Sequence, residues 1–202
     1  MKPRIWRGIS KAVFALFLFF PSFAMAHAEI FADVKVNASF DKYGFIGVQN
    51  IWSFDEVYSR EVVSEIDRDG NGIFSKKELA DLEKMVLGTF ESEACFNLVL
   101  WGSKFLGAEE IKNFSARIEN RRLVLDFLVA YPVIPATTEY SMLVITVWDP
   151  LNNILMTVNM DDSGVKNDSL DVEFFSDKLE GLTLFRGFSA GAEGLYVRFK
   201  KK

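Results

Sequence analysis

A chain of 202 residues with half its side chains hydrophobic is long enough to bury a core of its own. One Cys and one His exclude an intramolecular disulfide and leave Cys/His or Ser/His catalysis and tetrahedral zinc centres short of parts. Lys and Arg number 23 against 28 Asp and Glu, a net −5 that argues against nucleic acid and anionic membrane surfaces as partners.

Residues 1–26 read as a signal peptide. Lys2, Arg4, Arg7 and Lys11 form a positive start, and "AVFALFLFF" is an apolar stretch too short to span a bilayer comfortably. Ala24 and Ala26 then place small residues at −3 and −1 of a cleavage site. An uncleaved anchor is the alternative, and "AHA" offers a second cut after Ala28. Cleavage after Ala26 removes four basic residues and no acidic one, leaving 19 basic against 28 acidic, a net −9. This balance suits a soluble periplasmic protein that binds cations and does not insert in the membrane once the signal is gone.

The new N-terminus would be His27. Its α-amine and imidazole can chelate one Ni²⁺, Co²⁺, Zn²⁺ or Cu²⁺ ion, and in an extended chain Glu29 lies on the same face to supply a third ligand. The plain alternative is a solvated chain end.

"IFADVKVNASF" (30–40) alternates as a strand, "DKYG" turns the chain, and "FIGVQNIWSF" (45–54) returns as a second strand. The period then changes. Phe54, Val57, Tyr58, Val62 and Ile66 recur at helical spacing, and Leu79, Leu82, Met85 and Val86 do so in "SKKELADLEKMVLGTF". Ser75 and Glu78 form a capping box at the start of that second helix. From "ACFNLVLW" onward the chain is strand-like, with Cys95 in an apolar run that suits a buried, inert thiol. Residues 27–202 therefore read as one α+β domain: a β-rich sandwich with an inserted helix–calcium loop–helix, an EF-hand unit at about 54–91.

Between those helices lies "DRDGNGIFSKKE". Asp67, Asp69 and Asn71 occupy positions one, three and five, Ile73 offers a carbonyl at seven, Ser75 stands at nine and Glu78 at twelve. Gly72 falls at six, where the turn needs a positive φ. Hard oxygen ligands in this register point to Ca²⁺. Arg68, Lys76 and Lys77 offset the charge of the three carboxylates, so the expected affinity is weak, about 10⁻⁴–10⁻³ M, suited to a structural clip. A turn that binds nothing and a loop that binds poorly are the alternatives.

"AHAEIFADVKV" after the signal, "WSFDEVYS" at 52–59, the loop, and "VWDP" at 147–150 occur in this order along the mature chain. Together they resemble a family of uncharacterised bacterial periplasmic proteins, the domain of unknown function 1007. The family opens "AHPHVFID" where this chain has Ala28 for the Pro and Glu29 for the second His. The resemblance implies a periplasmic component of ABC-type transport, beside nickel/cobalt-type permeases.

The expected function is an exported calcium-binding protein, an accessory of nickel-, cobalt- or zinc-type transport or homeostasis, with an inner-membrane metal permease or another envelope protein as partner. The alternative is a calcium-stabilised interaction module of the envelope with no transition-metal role. No enzyme activity is expected: Asp161/Asp162 and Asp168/Asp171 lie in polar, turn-like sequence, though "MDDSG" leaves a second cation site near Asp161 open.

Overall fold

The computed structural model describes residues 30–88, 95–149, 154–159, 169–179 and 193–202; the expected signal peptide lies outside them. β1 (Ile30–Phe40) and β2 (Gly44–Phe54) form the hairpin that the alternation requires, with Val34 opposite Trp52. The Asp41 carboxylate fixes its turn by accepting the amides of Tyr43 and Gly44 at 2.7 and 2.9 Å. A Cβ on Gly44 would lie 1.9 Å from the Ile134 carbonyl oxygen, so only glycine lets the neighbouring strand approach there.

Two short helices follow, α1 (Glu56–Ile66) and α2 (Lys76–Val86). The remaining strands are β3 (Asn97–Trp101), β4 (Lys104–Phe105), β5 (Glu110–Glu119), β6 (Arg122–Pro135), β7 (Ser141–Val147), β8 (Ile154–Asn159), β9 (Leu170–Lys178) and β10 (Glu193–Lys201). They assemble with the hairpin into two five-stranded sheets, ordered β5-β6-β2-β1-β8 and β4-β3-β7-β10-β9. Among the described strands β8 alone runs parallel to its neighbour, β1.

This architecture corrects the expected α+β class. Strands take 60% of the described residues, in two sheets, against two helices of eleven residues each. Nor is an EF-hand unit formed. α1 makes more contact with β6, and as much contact joins α2 to β5 as joins the two helices. Helical periodicity says that an apolar stripe will be buried, not what it is buried against; here the sheets supply the surface. Val57, expected in the α1 stripe, is 58% exposed, while the small polar Ser59 is buried in its place. The Ser59 hydroxyl accepts the Leu123 amide at 2.8 Å and so pins α1 to β6.

One continuous apolar cluster takes members from both sheets and both helices. At its centre Trp52 stacks on Phe96 and meets Phe54 and Phe127 edge-on. A buried polar chain crosses this cluster. Trp52 Nε1 donates to Asn50 Oδ1 (3.3 Å), and Asn50 Nδ2 donates to Asn97 Oδ1 (3.1 Å). Asn97 Nδ2 donates to the Cys95 carbonyl (2.9 Å), and the Tyr131 hydroxyl to the Asn97 carbonyl (3.1 Å). Asn50 lies in one sheet and Asn97 in the other, so this pair ties the layers together. Cys95 is fully buried.

Candidate cation loop

The loop begins where α1 ends. Asp67 caps that end, its amide still donating to the Val63 carbonyl at 2.8 Å. The next residues fold on their own side chains. Asp67 Oδ2 accepts the Gly72 amide (2.9 Å), Asp69 Oδ1 the Asn71 amide (3.2 Å), and Asn71 Oδ1 the Ile73 amide (2.7 Å). Gly70 and Gly72 supply the left-handed turns, with φ of +67° and +75°.

Glu78 closes the loop. Its Oε2 accepts the Ser75 amide at 2.9 Å and its Oε1 the Arg68 amide at 3.1 Å, while the Glu78 amide donates to Ser75 Oγ at 3.3 Å. The expected capping box is thus present, and its carboxylate also reaches back to the loop's first residues. The Ser75 amide first, with the Ser75 hydroxyl and the Arg68 amide, holds the Glu78 carboxyl below the usual carboxylate range. Phe74 packs onto the core cluster, whereas the Ile73 side chain is 74% exposed.

Asp67, Asp69 and Glu78 each present a carboxylate oxygen within 4.8 Å of the others. Such a group is repulsive unless something positive sits among it. Asp67 Oδ1 is decisive: it is buried from solvent and, among the described residues, has no hydrogen-bond partner. A buried, unpaired carboxylate oxygen is costly, and a hard cation is the partner this donor set fits. The structure brings the carboxylates of Asp67, Asp69 and, from the first turn of α2, Glu78 together, with Asn71, Ile73 and Ser75 in the segment between them. His27 and Glu29 lie outside the described residues, as do Asp161, Asp162 and Asp168; Asp171 accepts the Tyr140 hydroxyl at 2.8 Å.

The "WSFDE" segment does structural work. Trp52 and Phe54 are core, and Glu56 pairs with Arg121 at 2.9 Å. Asp55 caps α1 through the Val57 and Tyr58 amides and accepts the Phe31 amide at 3.1 Å, tying the start of β1 to the helix. Burial alone would raise the Asp55 carboxyl. The amides of Tyr58, Phe31 and Val57, with Arg122, bring it below its ordinary value instead. Arg122 donates to the Phe54 and Ser53 carbonyls and pairs with Asp33 at 2.7 Å. An Asp just before a helical stripe is a capping signal in its own right, and sequence reasoning passed over it.

Fold and loop together define a two-sheet β protein with an acidic loop between two short helices. The family model described as "Protein of unknown function (DUF1007)" matches residues 12–172, and the chain belongs to that family. A search of curated proteins finds no match.

Proposed function

We propose that the loop of residues 67–78 binds Ca²⁺ and that this protein is an exported, periplasmic, calcium-stabilised accessory of metal-ion transport or homeostasis. The buried Asp67 Oδ1 without a partner, beside the Asp69 and Glu78 carboxylates, carries the calcium part. Asp67, Asp69, Asn71 and Glu78 would hold the ion by side-chain oxygen, Ile73 by its carbonyl and Ser75 directly or through water. Hydrogen bonds already shape the loop, so the ion acts as a clip rather than a switch. The reading of residues 1–26 as an export signal and the likeness of the N-terminal segment to that of the family support the wider setting. There His27 and Glu29 would engage nickel, cobalt, zinc or copper and an inner-membrane permease would be the partner.

Two titrations test this. Calcium should raise the melting temperature of wild type, and Glu78→Gln, which keeps an oxygen acceptor but loses the charge, should abolish that rise. An identical melting curve in chelator and millimolar calcium rejects the calcium assignment. Ni²⁺, Zn²⁺ and Cu²⁺ added to mature protein and to His27→Ala test the terminus; equal binding by the two removes it.

A second reading, an envelope interaction module with no transition-metal role, is favoured by the exposed aromatics at the two edges of the second sheet. Phe105, Leu100, Val144, Tyr196 and Phe175 stand opposite one another in register across all five strands of the second sheet. Leu100 and Val144 in the middle of this row are buried with Leu179, whereas Phe105 and Phe175 at its two ends are exposed, and Tyr196 stacks on Phe175 with ring centroids 5.0 Å apart. Recovery of an envelope protein that is lost on chelation supports this reading, and recovery unchanged by chelation counts against it.

A further inference from the structure

The loop contains the chain's one Asn–Gly pair, Asn71–Gly72. Both residues are exposed, and apart from its two chain neighbours no residue comes within 4 Å of where a Gly72 Cβ would be. A glycine in this position leaves its backbone nitrogen free of any side chain that would crowd attack on the preceding carboxamide.

Three hydrogen bonds bear on an intramolecular acyl transfer at this pair. The Ile73 amide donates to Asn71 Oδ1 at 2.7 Å, where negative charge collects as the carboxamide carbon is attacked. Asp67 Oδ2 accepts the Gly72 N–H at 2.9 Å and stands as a base for that nitrogen. Asp69 Oδ2 accepts from Asn71 Nδ2 at 2.7 Å and so sets the orientation of the carboxamide.

We propose that the ion-free loop deamidates itself at Asn71 and that a bound cation protects it. The Gly72 nitrogen bonds to Asn71 Cγ, the Cγ–Nδ2 bond breaks, and the proton taken from Gly72 departs with ammonia. Water then opens the five-membered imide at either carbonyl, giving aspartate or isoaspartate at position 71. Aspartate adds a carboxylate to the loop and tightens calcium binding, since affinity follows ligand charge. Isoaspartate adds a methylene to the backbone and takes the later ligands out of register. The protective half rests on the calcium reading: a cation on Asp67 Oδ1 lowers the basicity of the Asp67 carboxylate, and its bond to Asn71 fixes the carboxamide.

The test ages full mature protein at neutral pH in EDTA or in millimolar calcium and follows tryptic peptide 69–76 by mass spectrometry. Melting curves are taken on the same samples, and Asn71→Gln is the control. The amide form of the peptide should be lost severalfold faster in EDTA, with aspartate and isoaspartate both appearing, and should persist in Asn71→Gln. No loss in EDTA overturns the proposal and leaves the calcium reading intact. Equal loss in both buffers while calcium raises the melting temperature overturns protection alone. Equal loss with no melting shift overturns protection by way of the calcium reading.

Discussion

Asn50 and Asn97 are fully buried, 47 residues apart in sequence, and each satisfies the other only because the two sheets meet face to face. Replacing Asn97 by Leu would strip Asn50 of a partner and leave the Cys95 carbonyl without its donor. A loss of about 1–3 kcal/mol in denaturant-derived stability is expected for Asn97→Leu. Two phenols make a second point. Burial pushes the Tyr131 hydroxyl well above its ordinary range, and the Asp171 carboxylate, with burial and Glu173, pushes Tyr140 up to about 12. A phenol whose folded value lies above its unfolded value of about 10 keeps its proton longer in the native state. Its contribution is therefore complete below the unfolded value and is lost as pH rises through the folded one. Melting temperature should fall steadily above about pH 10, and phenolate absorbance should show Tyr140 ionising late, a delay absent in Tyr140→Phe.

At the scale of elements, caps and turns follow from local chemistry. The Ser75–Glu78 box forms where the spacing demands, and β1 and β2 lie where alternation places them, because each depends on neighbours within a few residues. Asp55 joins two elements and has the larger predicted effect. Asp55→Ala removes the α1 cap and the acceptor of the Phe31 amide together. It should cost about 1–2 kcal/mol, read by circular dichroism on denaturation. Asp55→Asn, which keeps an accepting oxygen, should lose less. The pairing of the helices themselves was not legible. Their stripes are real, but α1 packs chiefly on β6 and α2 is shared between α1 and β5, and no period in the sequence says so.

For the whole molecule, the common core cluster predicts that the loop does not melt alone. α1 and α2 share apolar partners with both sheets, so under the proposed calcium binding, removing the ion should lower the temperature of one cooperative transition. In millimolar calcium, about tenfold above a dissociation constant of about 10⁻⁴ M, the gain is about 1.4 kcal/mol, or roughly 3–6 °C at this chain length. Tryptophan fluorescence and far-ultraviolet dichroism should report the same midpoint; separate midpoints would mean that the helices and loop unfold independently of the sandwich.

The sequence by itself determined the short-range features: strand alternation, the helix cap and the spacing of oxygen-bearing side chains in residues 67–78. Each is set by spacing along a few residues and survives any tertiary context. Only the tertiary structure decided the order of strands in the two sheets, the buried Asn50–Asn97 bridge and the surfaces that receive the helices. It also decided the burial of Asp67 Oδ1. These depend on segments far apart in the chain excluding water from one another, and local periodicity carries no record of which distant segment will do so.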